Sequence, residues 1–373
     1  MAAGALGVRL LLWMGGTVPL PPPPEVTAAV RKVEVTNDAK QGDGFQLTFA
    51  IARGTTEFDL LDGGTLDAFN RVVIAVVMGV VPEVLIDGVI THHQITPSNE
   101  PGASTFTVTG KDVSLMLDLE EKNAEFPNQP DFLIVSQILA SYAQYGLVPM
   151  TMPTTDVPIM LQRVPRQAET DLRFVQKLAE RNGFVFYVEP MTFGVNNAYF
   201  GPETHLGAPQ PALSLNMGPS TNVESLDFSL DAMAPVSSAG SMLDPTSMSA
   251  ISIPSVPSLR VPPLSSSPTE ARRTVLLRQS ANESASRASA SAAAVASNAP
   301  DSVTGNGRLD AARYGNVLRA RKLVGVRGAG ASYDGMYYVR RVTHQIEPQR
   351  SSYKQTFTLS REGTGALVPM VVP

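Results

Sequence analysis

The first third of the chain alternates apolar and polar residues with a period of two. Residues 33–35 follow this alternation, and residues 45–51 place Phe45, Leu47, Phe49 and Ile51 on one face. The continuous apolar run at 72–81 ends at Pro82 and is typical of a buried strand. We therefore expect residues 25–125 to form one compact β-domain, with turns at Asp43-Gly44 and at Asp87-Gly88.

The period changes after residue 125. The segment DFLIVSQILASYAQYG places apolar residues at helical spacing, with Asp131 as the predicted N-cap and Gly146 after the end. TDLRFVQKLAERNG repeats this arrangement with Thr170 or Asp171 as its cap, and the strand-like FVFYVEP follows directly. Residues 126–197 are therefore predicted to form a small α/β module.

Strand patterns return at residue 198 and again after Arg319. We assign residues 198–235 and 300–366 to a second β-domain. Residues 236–270 are rich in Ser, Pro and Met without periodicity, which predicts a linker or an extended loop. The remainder of 236–299 includes ANESASRASASAAAVASNA, for which alanine propensity favours a helix. The fold class predicted from these patterns is α+β, mainly β.

Composition narrows the class of protein. The chain has 373 residues, of which 43% are apolar and 17% charged, as in globular proteins with more than one domain. It has no cysteine, so disulfides, thiolate metal sites and cysteine nucleophiles are excluded. Residues 1–24 end in four prolines and predict a stiff extended arm, and residues 367–373 form a short tail. The apolar segment after Arg9 is too short for a secretory signal, and no stretch approaches the ~20 residues of a membrane span.

Charge is unevenly distributed along the chain. Residues 301–366 contain eleven basic and five acidic residues, whereas the rest contains 18 basic and 29 acidic residues, for a net charge of -5. The overall charge gives no case for nucleic-acid binding. The division predicts neighbouring surfaces of opposite sign, for example between subunits, and solvated strand faces are the alternative.

Motifs of catalysis and of metal or cofactor binding are not found. His92 and His93 are adjacent in a predicted strand and point to opposite faces, so they cannot share a metal directly. His344 is predicted to be a structural histidine. The glycines between Gly325 and Gly330 lack the G-x-G-x-x-G spacing and are predicted to form a hairpin turn that ends at Asp334-Gly335. We therefore assign no catalytic, cofactor-binding or metal-binding residue.

Several phrases, taken in order, resemble one family. They are TDLRFVQKLAERNGFVFYVEP, AYFGPE, PALSLNMGPSTNVESLDFSLDAMAP, GRLDAARYGNVLRARKLVGVRGAG, YDGMYYVRRVTHQI and YKQTFTLSREGTG. From about Val30 to Gly365, the chain resembles the late-control protein D family. Its members are tail hubs of contractile phages and of extracellular contractile injection systems. They are similar to the hub part of the valine-glycine-repeat spike proteins of type VI secretion.

This resemblance implies an architecture and a set of partners. It implies two tail-tube-like β-barrel domains per chain, beside a helix-containing module, and a homotrimeric ring that adapts a hexameric inner tube to a trimeric central spike. The implied partners are the inner tail-tube protein, the central spike protein and other baseplate proteins. The particle would assemble in the bacterial cytoplasm and could be released outside the cell. Because the chain ends at Pro373 without needle repeats, we expect the spike to be a separate chain.

The stretch SYDGMYYVRRVTHQI concentrates tyrosine, arginine and histidine in one predicted strand. Simple alternation places Tyr338, Arg340, Val342 and His344 on one face and Tyr337, Val339, Arg341 and Thr343 on the other. We predict a subunit or tube interface on this strand and its neighbour, formed by Arg319, Arg321, Lys322, Arg327, Tyr337, Tyr338, Arg340 and Arg341. The alternative functions are a tail-associated peptidoglycan hydrolase and a receptor-binding or glycan-binding tail protein.

Overall fold

Strands predominate over helices, in agreement with the predicted α+β, mainly β class. A computed structural model describes residues 8–51, 64–79, 81–100, 103–158, 160, 163–243, 249–277 and 284–367. In these ranges no helix has the length and apolar character needed to cross a membrane.

The first part of the chain forms six strands of one antiparallel arrangement. The elements are β1 (Arg9–Gly15), α1 (Pro24–Ala29), β2 (Val30–Asp38), β3 (Gly44–Ala50), β4 (Arg71–Val77), β5 (Pro82–Thr96) and β6 (Thr105–Asp112). The strands lie in the order β1-β4-β5-β6-β3-β2. Phe45, Leu47 and Phe49 are buried together with Val33 and Val35, so the predicted apolar face is confirmed.

The turn predicted at Asp87-Gly88 is wrong, because β5 continues through both residues. Asp87 is buried and accepts hydrogen bonds from Arg71 Nε at 2.7 Å and Nη2 at 2.6 Å. A Cβ atom on Gly88 would lie 2.5 Å from the Lys111 carbonyl oxygen and 2.8 Å from the ring of Phe45. The ion pair and the close ring contact explain why this Asp-Gly lies inside a strand.

The middle of the chain forms the predicted helix-containing module. Its elements are β7 (Glu121–Glu125), α2 (Asp131–Ala140), β8 (Leu147–Thr151), β9 (Arg166–Thr170), α3 (Asp171–Asn182), β10 (Phe184–Thr192) and β11 (Val195–Pro202). Thr170 caps α3 by accepting the Arg173 N–H at 3.4 Å. The N-cap of α2 is Pro130 rather than Asp131, because the Asp131 carboxylate accepts hydrogen bonds from Arg181 and Asn182. Gly146 ends a 3₁₀ turn that follows α2.

The last part of the chain adds a second set of strands. Its elements are β12 (Gln210–Ser214), β13 (Ser225–Leu230), β14 (Val236–Leu243), β15 (Ala250–Ile253), β16 (Ser265–Pro268), β17 (Arg273–Leu276), α4 (Ala285–Asn298), β18 (Val303–Asp310), α5 (Ala311–Tyr314), β19 (Leu323–Arg327), β20 (Gly335–Glu347), β21 (Ser352–Arg361) and β22 (Gly363–Ala366). β19 and β20 form the hairpin predicted around the glycine-rich turn.

The segment 236–270 is not the unstructured linker that its composition predicts. β14 pairs with β15 and β17, and β16 pairs with β22. Met242 and Ile253 pack against Ala288 and Ala292 of α4, which confirms the predicted alanine-rich helix. The strands have four to eight residues and many serines, so they lack the apolar alternation by which strands are predicted.

Most of the strands belong to a single sheet of twelve. Its order is β1-β4-β5-β6-β3-β2-β20-β21-β18-β13, and β19 joins β12 to β20 at the side. Among the described residues none of the sheets closes into a barrel, so the two predicted barrels are not confirmed. The two parts of the chain are instead joined by backbone pairing between β2 and residues 341–346 of β20.

The twelve-stranded sheet contains the same strand order twice. The first set follows β1-β4-β5-β6-β3-β2, and the second follows β12-β19-β20-β21-β18-β13. Neighbours pair antiparallel in both sets, except that β12 is parallel to β19 whereas β1 is antiparallel to β4. The fold is therefore an internal duplication, with one set of strands before the helical module and one after it.

The duplication extends to the register of individual residues. The pair Thr96–Thr105 at the end of the β5–β6 hairpin corresponds to Gln345–Lys354 of the β20–β21 hairpin, 249 positions later on both strands. Thr91 is an extra residue in a bulge of β5, and Arg340 is the extra residue of β20, again 249 positions later.

The bulge also changes which side chains of β20 face the core. Beyond Val339 the predicted alternation is wrong, because the extra residue Arg340 shifts it by one position. Tyr337 and Val339 therefore share one core with Val342 and Ile346. A bulge re-aims side chains without leaving a signature in the apolar pattern.

In each set of strands, one residue with a left-handed backbone conformation occupies the corresponding place. Phe69 has φ +66° and Arg321 has φ +62°. The Phe69 N–H donates to the Ile90 carbonyl at 2.9 Å, and the Arg321 N–H donates to the Val339 carbonyl at 2.8 Å. Ile90 and Val339 are 249 positions apart, so Phe69 and Arg321 occupy corresponding places.

Candidate functional site

The eight residues predicted at an interface lie around the junction between the two sets of strands. Arg319, Arg321 and Lys322 directly precede β19, Arg327 ends it, and the other four lie on β20. Lys322 is exposed and the Arg341 side chain is 45% exposed, whereas the remaining six are buried or half-buried. Most of these side chains are therefore enclosed by the chain itself.

Arg321 makes the most enclosed contact of the junction. Its Nη2 lies 2.5 Å from Asp43 Oδ1 and donates to the Asp38 carbonyl oxygen at 2.6 Å, and its guanidinium lies 4.4 Å from the centre of the Tyr187 ring. Burial alone would lower the pKa of Arg321, but the Asp43 carboxylate outweighs it and raises the pKa. This charged pair connects the second set of strands to the first.

Two further arginines reach the first set of strands. Arg341 Nε lies 2.5 Å from Asp38 Oδ2. Arg319 Nε lies 3.2 Å from Glu83 Oε2, and its Nη1 donates to the Val84 carbonyl at 2.7 Å. Because Arg341 is nearly half exposed, solvent screens its ion pair more than that of Arg321.

Arg340 holds the helical module to the second set of strands. Its guanidinium pairs with Glu203, its Nη2 lies 2.6 Å from Asp301 Oδ2, and its Nε donates to Ser360 Oγ at 2.7 Å. Burial would raise the pKa of Asp301, but Arg340 and Arg260 outweigh it and lower the pKa to about 2. The bulge in β20 thus directs a cation into a buried acidic cluster.

Tyr337, Tyr338 and Arg327 also have partners inside the chain. The Tyr337 hydroxyl donates to the Tyr333 carbonyl at 2.8 Å, and Tyr338 is 3% exposed beside Arg340. Arg327 Nε donates to Ser214 Oγ at 2.7 Å. These contacts stabilise the fold of the chain, and a role of the eight residues at a subunit or tube interface stays a prediction.

Basic residues of 301–366 form ion pairs with acidic residues from the rest of the chain. Basic side chains of residues 301–366 pair with acidic side chains from the rest of the chain: Arg319 with Glu83, Arg321 with Asp43, Arg341 with Asp38, Arg340 with Glu203 and Lys354 with Glu224. The charges of opposite sign predicted from the sequence therefore meet inside the chain.

His344 lies in the same junction and is structural, as predicted. Its Nδ1 is 2.8 Å from the Tyr353 hydroxyl, and its Nε2 is 3.1 Å from Asn37 Oδ1 on β2. Burial, with a smaller contribution from Arg319, lowers the pKa of His344 to about 3. A neutral, fully buried imidazole with polar partners on two sides holds strands together and is not accessible to a substrate.

Among the described residues, β13 and part of β5 are strand edges of the large sheet that lack a partner strand on one side. β13 is the last strand of the sheet, and β4 pairs with β5 only along 82–89, so 91–96 have one free edge. Large apolar side chains are exposed at these edges: Ile95 by 41% and Leu230 by 49%. Phe69, whose N–H bonds to the Ile90 carbonyl, is exposed by 60%, and Met233, three residues after Leu230, by 56%. The apolar pattern predicted these strands, but edges depend on non-local pairing and were missed.

The described ranges contain no group of three or more His, Asp or Glu side chains that could hold a metal ion. The features that stand out are instead strand edges and buried ion pairs, which are suited to holding protein surfaces together.

Solved structures share this fold along nearly the whole chain. A tail protein from Neisseria meningitidis MC58 matches with a TM-score of 0.64 and 12% identity, over 95% of this chain and 97% of the other. The 43 kDa tail protein of prophage MuSo2 from Shewanella oneidensis matches with a TM-score of 0.62 and 13% identity, over 95% and 98%.

A third match comes from a secretion system. It is the E. coli c3393 protein, a component of the type VI secretion system described as structurally similar to the T4 bacteriophage tail proteins gp27 and gp5, with a TM-score of 0.56 and 15% identity over 92% and 77%. No protein-family model and no curated protein sequence matches the chain. The resemblance found in the sequence is therefore confirmed as a fold shared with phage tail and type VI secretion proteins.

Proposed function

We propose that this chain is the structural hub of a contractile tail or injection system. Three copies form a ring that connects a hexameric inner tube to a trimeric central spike. The observation that carries the proposal is the internal duplication, because a chain with two similar sets of strands presents six similar units when three copies surround one axis. Each set corresponds to one tail-tube-like barrel of the implied ring.

The shared fold supports this function. The matched proteins are described as tail proteins or as a component of type VI secretion, and two of them are covered almost completely. In this ring, Lys322 and Arg341 are the two exposed members of the predicted interface set, and we assign them to the contact with the tube or with other baseplate proteins. The ring assembles in the bacterial cytoplasm as part of a baseplate.

The oligomeric state of the purified chain tests the proposal. Multi-angle light scattering on the full-length protein should give three times the 39.7 kDa of one chain. The trimer should then co-purify with the tube and spike proteins of the same particle when these are co-expressed. A monomer or dimer at all concentrations, without association with either partner, contradicts a trimeric hub.

A further inference from the structure

The internal duplication specifies how one subunit contacts the next. Inside the chain, the last strand of the first set, β2, pairs with residues 341–346 of β20. The strand of the second set that corresponds to β2 is β13. The segment that corresponds to 341–346 is 92–97, and residues 92–96, which belong to β5, have a free edge. We propose that β13 of one subunit pairs antiparallel with residues 92–96 of β5 in the neighbouring subunit. The inference rests on the proposed ring and adds its contact.

The register of this contact follows from the strands beside β2 and β13. Thr36 of β2 pairs with Gly44 of β3, and Ser229 of β13 pairs with Thr304 of β18. Gly44 and Thr304 correspond, because their own partners on β6 and β21 are again 249 positions apart. Ser229 therefore occupies the place of Thr36.

The opposite strand gives the second half of the register. Thr36 pairs with Thr343 inside the chain, and their Oγ1 atoms lie 3.0 Å apart. Gln94 lies 249 positions before Thr343 and takes its place on β5. Ser229 of one subunit should therefore lie opposite Gln94 of the next.

The chain after β13 turns as the chain after β2 does. Asp38 Oδ1 accepts the Lys40 N–H at 2.8 Å, and Asp231 Oδ1 accepts the Met233 N–H at 2.8 Å. Within the chain, Asp38 lies opposite Arg341 and pairs with it. The same register sets Asp231 opposite His92, so a carboxylate again faces a group that can donate to it.

At one place on the two free edges the side chains are apolar, whereas those at the corresponding place of the internal junction are polar. Where His344 bonds to Asn37 inside the chain, the corresponding residues are Ile95 and Leu230. A buried polar pair is thus replaced by two aliphatic side chains that are 41% and 49% exposed in the single chain. Antiparallel pairing of the two edges would remove both from water.

Phe69 gives an independent indication of the same contact. It corresponds to Arg321, whose side chain donates to the Asp38 carbonyl at the internal junction. Phe69 is therefore expected to lie over the segment from Asp231 to Met233 of the neighbouring subunit. Phe69 and Met233 are 60% and 56% exposed in the single chain, whereas Arg321 is 8% exposed.

A second copy of this chain fits these edges because the structure already contains the contact once. The interface joins two different surfaces, so copies add head to tail and can close into a ring. Free edges with apolar side chains also favour uncontrolled strand pairing, and closure of the ring removes them.

Engineered disulfides test this contact cleanly because the chain has no cysteine. The variant Gln94→Cys/Ser229→Cys should form covalent dimers and trimers under mild oxidation, visible on non-reducing gels and lost on reduction. The two positions correspond to a pair that is not hydrogen-bonded, for which the Cα atoms are about 4.5 Å apart, within the range that a disulfide spans.

Two matched variants control the experiment. Thr36→Cys/Thr343→Cys should crosslink at the internal junction without change of mass, since these side chains touch in the single chain. Gln94→Cys/Ser225→Cys displaces one cysteine by four residues, or about 13 Å along the strand, and should not crosslink.

The outcomes separate the contact from the ring. Crosslinked trimers with Ser229→Cys but not with Ser225→Cys support the inference. A trimer by light scattering that fails to crosslink at Gln94→Cys/Ser229→Cys, while the internal control does, overturns the strand pairing and leaves the ring. A monomer by light scattering that does not crosslink overturns both.

Discussion

The junction inside the subunit and the free edges that correspond to it have the same backbone arrangement and opposite chemistry. The internal junction is held by a buried ion pair of Arg321 and by the His344–Asn37 hydrogen bond. At the free edges the corresponding side chains are Phe69, Ile95 and Leu230, all of them exposed in the single chain.

The difference follows from when each contact forms. Inside one chain, the partners of a buried charge are always present, and the ion pair forms once, on folding. Between chains, ions would have to lose their water at each assembly step, at a cost of several kcal/mol per ion. Aliphatic and aromatic contacts avoid this cost, which is why large apolar side chains are expected at the subunit contact.

The largest effect on stability is expected at the buried ion pair. Arg321→Gln leaves Asp43 buried without its cation, and such a loss costs about 3–5 kcal/mol. Unfolding of the full-length chain in guanidinium chloride should show this decrease in the free energy of unfolding. A decrease below about 1 kcal/mol would mean that the internal junction does not depend on the charge.

Phe69→Asp should have the largest effect on assembly. Phe69 is 60% exposed in the single chain and lies at positive φ, which Asp tolerates, so the fold should keep its thermal midpoint within a few degrees. A charge buried in the proposed contact should weaken association by more than tenfold, measured by sedimentation. The control Val81→Asp changes a residue that is also largely exposed, directly before the start of β5 and away from residues 92–96, and should leave the trimer intact.

Acid should act on the internal junction through His344. With a pKa of about 3 in the folded chain and 6.5 unfolded, His344 lowers stability as the pH falls below 6.5, by about 1.4 kcal/mol per pH unit. Burial and the Asp43 carboxylate raise the pKa of Asp112 to about 6, so its protonation in the folded chain offsets this loss between pH 6 and 4.

Asp112→Asn should uncover the contribution of His344. Between pH 6 and 4, the stability of this variant should fall more steeply than that of the unaltered chain, by about 1.4 kcal/mol per pH unit. Urea unfolding at a series of pH values measures the two slopes. Parallel slopes would show that Asp112 does not titrate in this range.

The smallest effect is expected for the exposed ion pair of the same junction. Arg341→Gln removes a partner of Asp38 whose side chain is 45% exposed, and such pairs contribute about 0.2–1 kcal/mol. Chemical unfolding of Arg341→Gln and Arg321→Gln under the same conditions compares their losses in the free energy of unfolding. A loss as large as that of Arg321→Gln would contradict the distinction between the buried and exposed pairs.

Local features of this fold could be predicted from the sequence, and non-local ones could not. The cap at Thr170 and the apolar face of β3 depend on residues within a few positions of each other, and both are confirmed. The bulge at Arg340 and the strand through Asp87-Gly88 depend on contacts with distant strands. The internal duplication is hidden because corresponding residues such as Arg321 and Phe69 have different chemistry.

The candidate site shows the same division. Clustered arginines and tyrosines predicted a subunit or tube interface, and the contacts that the structure shows for them lie within the chain, so the interface itself stays a prediction. The free edges at β13 and at residues 91–96 had strand-like sequences and no signal that marked them as edges. Which strand lies next to which is decided by the whole fold.

An experimental structure of the assembled ring tests the central claim most directly. Cryo-electron microscopy of the purified oligomer or of its parent particle should show three copies. In each contact, β13 should pair antiparallel with β5 of the next copy, with Ser229 opposite Gln94 and Phe69 covered. A ring in which β13 and residues 91–96 of β5 both face solvent would contradict the account.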